Sequence, residues 1–178
     1  MKSEPENIYC IDTSALVMMH RYYPIRMLPD LWKQLEELFV HQKILSHDFV
    51  YDEIVPDTES KDDLAIFVSQ YKSCFKSISK RQAQLVPEIL SFYPNLIDPR
   101  NKKNQADPWI IAMVVEMMEE ISLFGKDSDF VIVSMESEKS PTKIPAVCKH
   151  FKVRHMNLFD FFEDNNWQFS VSKKGNVL

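Results

Sequence analysis

Two short runs of unbroken apolar residues, IYCI at 8–11 and FVIV at 130–133, constrain this chain more than any other feature. Each is short for a helix and too uniformly apolar for a strand with one wet face. Each therefore reads as a strand buried on both faces, the condition of strands inside a parallel sheet. Around them the spacing turns helical. Pro29 at a first-turn position with Leu31, Leu35, Leu38 and Phe39 predicts a helix over about 29–41. KILS at 43–46 reads as a second strand, and Asp48 as the N-cap of a helix carrying Val50, Ile54 and Val55. Leu64, Phe67, Val68, Tyr71 and Phe75 predict a helix over 61–75. A further helix over 79–93 contains Pro87, which must kink or restart it. In ADPWIIAMVVEMMEEI, Asp107 before Pro108 reads as an N-cap with proline at the first helical position, opening a helix apolar around nearly its whole circumference. A polar loop, a helix over 144–151, a strand over 152–156 and a helix over 158–163 follow. The tail over 166–178 reads as an edge strand or a loose end.

Strands separated by crossover helices imply a parallel sheet covered on both faces, an α/β/α sandwich with its strand ends on one edge. A chain of 178 residues suits one such domain. Glycine usage excludes much: only Gly125 and Gly175 are present, so no glycine-rich phosphate loop can be built. Phosphate, if handled at all, must be met by metal or by cationic side chains. The net charge of −5 gives no global attraction to a polyanion, leaving that to local basic patches. Cys10, Cys74 and Cys148 are scattered among apolar neighbours and read as reduced core residues. The polar, acidic opening MKSEPEN predicts no leader, and no apolar run is long enough for a membrane span. A soluble cytoplasmic protein is the expectation.

Four acids fall where such a sheet would gather them. Asp12 ends the first strand, Glu136 follows FVIV by three residues, Asp107 opens the central helix, and Glu53 lies on the helix after the second strand. Each also has a plainer reading: Asp12 and Asp107 as helix caps, Glu53 and Glu136 as solvated acids. Gathered, they would repel, a single pair ~5 Å apart by about 3 kcal/mol at an effective dielectric near 20. Protonation or bound cations must offset that, and an all-oxygen donor set points to Mg²⁺ or Mn²⁺. An aspartyl-phosphate mechanism at Asp12 would want a second acid two residues on, where Ser14 stands. His47, beside the second strand's end, reads as a structural histidine.

The ordered blocks IDTSAL at 11–16, FVYDEI at 49–54, ADPWIIAMV at 106–114 and VIVSMES at 131–137 resemble the PIN-domain nucleases, in particular the VapC-like toxins of toxin–antitoxin pairs. The similarity covers about 8–157. It implies a three-layer sandwich, with 57–104 as a helical insertion relative to smaller members. It also implies an acidic triad of Asp12, Glu53 and Asp107 that holds Mg²⁺ or Mn²⁺. Glu136 stands where the family commonly has aspartate, so its metal contact runs directly or through water. Ser14 and Ser134 match small hydroxyl positions that orient the site; a helix-start bond and a strand-end turn are their plainer roles. The implied activity is endoribonuclease cleavage of RNA, with a small antitoxin and a second copy of the chain as partners. A DNA-directed nuclease and a silent scaffold binding RNA or protein remain the alternatives. Arg100, Lys102 and Lys103 before Asp107, with Lys139 and Lys143 after Glu136, are the candidate nucleic-acid contacts, or else solvated loop charges.

Overall fold

The computed structural model describes residues 6–101, 105–124 and 128–168. The elements in chain order are β1 (Glu6–Ile11), α1 (Thr13–Tyr22), α2 (Pro29–Val40), β2 (Ile44–His47), α3 (Asp48–Ile54), α4 (Asp63–Ser69) and β3 (Phe75–Lys76). They continue with α5 (Lys80–Phe92), α6 (Asp107–Phe124), β4 (Ser128–Val133), α7 (Ile144–Phe151), β5 (Arg154–Met156) and α8 (Leu158–Asp164). All five strands are parallel, in the order β3-β2-β1-β4-β5. The two apolar runs are the central pair, and β1 matches β4 residue for residue from Glu6 opposite Ser128 to Ile11 opposite Val133. Helices cover both sides, as strands without a polar face require. Tyr9 packs its ring edge-on against Phe161 of α8, centroids 4.8 Å apart. Cys10, next along β1 and so on the opposite face, neighbours Cys148 of α7. The chain is thus an α/β sandwich around a parallel sheet.

This order has a switch point. From β1 the chain builds outward to β2 and β3, then returns to the other side for β4 and β5. Ligand crevices of open α/β sheets form at such points, beyond the carboxyl ends of the strands. The ends of β1 and β4 are locked together here, since the Asp12 amide donates to the Val133 carbonyl at 2.9 Å. From β2, the Ser46 hydroxyl donates to the Ile11 carbonyl at 2.6 Å.

Several local expectations are corrected. The helix foreseen over 61–75 stops at Ser69; a 3-10 turn at Lys72–Cys74 then leads Phe75 into β3, which pairs with Ser46 and His47 of β2. The segment 57–104 therefore supplies the sheet's edge strand as well as helices. Asp48 is the first helical residue of α3 and not its cap; the His47 ring accepts the Phe49 amide instead, at 3.1 Å. Ser79 and Gln82 form a reciprocal capping box that starts α5, which runs through Pro87 without ending there. Asp107, too, lies inside its helix. The Trp109 and Ile110 amides both turn back to the Ala106 carbonyl, so Ala106 occupies the cap position of α6. The three cysteines are buried and free, as their apolar settings foretold. Among the described residues no helix is long and apolar enough to cross a membrane. The tail residues 169–178 lie outside the described residues.

Candidate active site

Asp12 is both a cap and something more. Its Oδ2 accepts the Ser14 amide at 2.9 Å and the Ser14 hydroxyl at 2.6 Å, which starts α1. Its Oδ1 is buried and has no hydrogen-bond partner among the described residues. A buried carboxylate oxygen without a partner is costly, and native structures rarely keep one without a use for it. Capping alone leaves half of this carboxylate unexplained.

Ser14 serves two strands at once. While its hydroxyl donates to Asp12, its oxygen accepts the amide of Met135, in the loop after β4, at 2.9 Å. That arrangement fixes the Asp12 rotamer and ties the two strand ends across the switch point. Glu53 is also held at both oxygens: Oε2 accepts from the Thr13 hydroxyl and Oε1 accepts the Ala106 amide at 3.0 Å. The carboxylate of α3 thus anchors the start of α6, immediately before Asp107. Glu136 anchors α7, accepting the Ile144 amide at 2.9 Å through Oε2 and pairing with Lys143 at 2.8 Å through Oε1. Negative charge at a helix start is favourable on its own account.

Burial and neighbouring charge act together on Asp107 and Asp12. Burial pushes the Asp107 carboxyl up to about 8, helped by the charges of Asp12, Glu136 and Glu53 and opposed by Lys143. Burial likewise raises Asp12 to about 6, against the two Ser14 hydrogen bonds and with the charges of Glu136 and Glu53 adding to it. Lys143 is held above its usual range by its bond to Glu136, against burial, with Asp107 and Asp12 contributing. No hydrogen bond reaches the Asp107 carboxyl among the described residues. Asp107 and the free oxygen of Asp12 are therefore the least satisfied polar groups of the cluster. Among the described residues no group of three or more His, Cys, Asp or Glu side chains is placed to hold a metal ion as they stand. Glu53 and Glu136 are drawn back toward helix starts, leaving an open arrangement.

Beside the acids lies a cleft of about 560 Å³, with Glu53, Asp107 and Lys143 on one side and residues 95–101 with Gln105 on the other. Gln105 braces that second wall, its amide oxygen accepting from the Asp98 amide at 2.6 Å and its amide nitrogen donating to the Asp98 carbonyl at 2.9 Å. Arg100 belongs to the wall and pairs with Asp98 at 3.0 Å. Lys143 sits in the cleft; Lys139 lines a neighbouring pocket instead. Lys102 and Lys103 lie outside the described residues. Ser134 is buried, and its hydroxyl faces His155 of β5 at 2.9 Å, so none of its hydrogen bonds goes to an acid. Sequence reasoning overlooked Thr13, although it sits in the Asp12-Thr13-Ser14 triplet whose two neighbours were singled out. Gln105 was equally unmarked, and its role depends on a contact seven residues away that no local pattern announces.

Over residues 9–169 the chain matches a family described as a domain of unknown function, DUF4411. The chain belongs to that family. Comparison with curated proteins gives no match. The DUF4411 span takes in nearly the whole sheet and all four acids, so the cluster lies wholly within the family's domain. The family description assigns DUF4411 no activity, and the chemistry must be argued from the side chains.

Proposed function

We propose that this chain is a PIN-type nuclease that hydrolyses RNA phosphodiester bonds with Mg²⁺ or Mn²⁺. The observation that carries the reading is the buried Oδ1 of Asp12, without a partner among the described residues, beside Asp107, whose carboxyl is pushed up to about 8 by burial and then by the neighbouring acids. A divalent cation satisfies both conditions at once, giving the orphaned oxygen a partner and offsetting the repulsion. Hard oxygen donors suit Mg²⁺ and Mn²⁺.

Asp12 and Asp107 would hold the ion, with Glu53 and Glu136 as further oxygen donors or as partners of its water ligands. When bound, such an ion supplies activation of a water for in-line attack and neutralises charge on the phosphoryl oxygens. The chain's own residues do the positioning. Ser14 fixes the Asp12 carboxylate, Thr13 and the Ala106 amide fix Glu53, and Glu136 holds Lys143 at the cleft, where its ammonium can meet a phosphate oxygen.

Purified protein should cleave RNA only when Mg²⁺ or Mn²⁺ is present, and Asp12→Asn should abolish that cleavage. Activity surviving in chelator, or in the variant, sinks the metal mechanism. The same assay with DNA decides between nucleic acids. A second reading, a scaffold that binds RNA or protein without cutting, is favoured by Lys143, whose ion pair with Glu136 already places a cation among the acids. Metal-independent binding without cleavage would establish it. The toxin role, the antitoxin partner and self-association extend the proposal from the PIN resemblance, and a cytoplasmic setting extends it from the scattered, apolar-set cysteines. Growth arrest on expression, relieved by a co-expressed partner, tests the toxin role and the antitoxin partner.

A further inference from the structure

Helix α7 leads away from the acids with a chemically distinctive face. Lys143, its N-cap, stands in the acid cleft; Ala146 lies three residues on, with Lys149 and His150 three and four beyond that. Residues at these intervals share one side of a helix. The seven steps from Lys143 to His150 span about 10 Å along the helix axis.

Two features flank this track. On one side Lys139, Ser140, Lys149 and His155 line a pocket of about 460 Å³, in which Glu138 is the one acid. Among the described residues neither Lys139 nor Lys149 has an ion-pair partner. The His155 ring is held in place by its bond to buried Ser134. On the other side the His150 ring lies 4.9 Å from Phe92 and 4.8 Å from Phe151, and its Nδ1 is 3.1 Å from the Tyr93 hydroxyl. Phe92 is 57% exposed, so the cluster offers ring faces to solvent. Tyr93 runs directly into the Pro94–Leu96 turn, and Asn95 and Leu96 already belong to the wall of the acid cleft. The chain therefore passes from the platform straight into the wall of the cleft.

We propose that this face of α7 binds single-stranded polynucleotide, its bases stacking on Phe92 and His150 and a phosphate held between Lys139 and Lys149. Stacking on aromatic rings and pairing with cations is how single strands are held without regard to sequence, whereas a duplex hides its base faces. An acidic protein segment would use the lysines but gain little from the rings. The proposal rests on the nuclease reading and adds to it the path the strand takes from the acids.

Full-length Asp12→Asn protein, titrated with fluorescein-labelled oligouridylate, oligodeoxythymidylate or a duplex across a salt series, provides the test. Phe92→Ala should weaken both single strands about tenfold and leave the duplex unchanged. Lys139→Ala with Lys149→Ala should lower the slope of log affinity against log salt by about 0.7, one phosphate's share. His150→Ala serves as a second platform variant should Phe92→Ala melt early. Parent protein that binds no single strand, or variants that match the parent, overturn the proposal. So does polyglutamate bound as tightly as oligouridylate and lost in the same variants, which marks a protein-binding face. Cleavage by the wild-type chain is scored separately. Cleavage with unaltered binding in the variants removes the subsite and keeps the nuclease; altered binding with no cleavage keeps the subsite and removes the nuclease.

Discussion

At the scale of single residues, Ser14 illustrates how one side chain sets the orientation of another. Its hydroxyl both donates to Asp12 Oδ2 and receives the Met135 amide, so it sets the carboxylate and the loop after β4 together. Ser14→Ala removes both bonds and leaves the partly buried Met135 amide unpaired, a loss of about 1–3 kcal/mol in stability. Groups that orient a metal's ligands typically matter 10- to 100-fold in affinity or activity. Ser14→Ala should therefore cut cleavage by roughly that factor and raise the Mn²⁺ concentration needed for half-activity, while Ser14→Thr, which keeps the hydroxyl, recovers much of both. Loss of stability with no change in the metal requirement would make Ser14 a helix-start residue and nothing more. The sequence left Asp12 balanced between cap and ligand; the structure shows the cap at Oδ2 and leaves Oδ1 without a partner among the described residues. It could not separate them, because whether Oδ1 finds a partner depends on residues brought from β4, α3 and α6.

Among elements, the junction of β2 with α5 and α6 is built on a buried polar chain. His47, fully buried, accepts the Phe49 amide at Nδ1, so its proton lies on Nε2 and is donated to the Gln82 side chain at 3.2 Å. The Gln82 amide nitrogen donates in turn to Glu116 at 2.8 Å, and Ser79 donates to the same carboxylate at 2.5 Å. Burial holds the His47 pKa below its ordinary value. At His47 the native state thus binds fewer protons than the unfolded chain below about pH 6.5, and this contribution to stability rises with pH across that interval. The contribution is fully present above about pH 6.5 and is lost as pH falls through the lower native value. The raised carboxyls of Asp107 and Asp12 act in the opposite sense over the same interval, so the contribution of His47 is read as a difference: on going from neutral pH to pH 5 the melting midpoint of His47→Asn, which can still cap α3, should fall less, or rise more, than that of the parent. Equal shifts in the two proteins would assign the acid sensitivity elsewhere. The sequence marked His47 as structural but could not show its partner, 35 residues away. Nor could it reveal β3: Phe75 follows Tyr71 at helical spacing, and only its pairing with Ser46 on the sheet edge overrules that pattern. The long apolar elements, β1, β4 and α6, were legible because burial on every side leaves no polar residue to interrupt them.

For the whole molecule, the sheet concentrates negative charge at one edge of a chain that is already acidic overall. Four carboxylates from β1, α3, α6 and the β4–α7 loop meet at the switch point, with Lys143 as the cation paired within the group. The fold tolerates this because about forty apolar residues close a continuous core beneath it, fully burying Ile11, Ile110, Ile111 and Val133. Anything that neutralises the edge should stabilise the molecule as a whole. A cation present at about one hundred times its dissociation constant adds about 2.7 kcal/mol, or roughly 5–10 °C in melting midpoint for a domain of this size. Millimolar Mn²⁺ should produce such a rise at neutral pH, and an equal ionic strength of sodium chloride should not. Near neutral pH the Asp107 carboxyl, raised to about 8, must take up a proton for the metal-free chain to fold, and Asp107→Asn removes that cost, so it should raise the midpoint of the metal-free protein by a few degrees and abolish the response to Mn²⁺. That pairing of gained stability with lost metal response is the signature of a carboxylate kept for binding at the expense of the fold. A variant destabilised without metal, or one that still responds fully, would return Asp107 to an ordinary place in the first turn of α6.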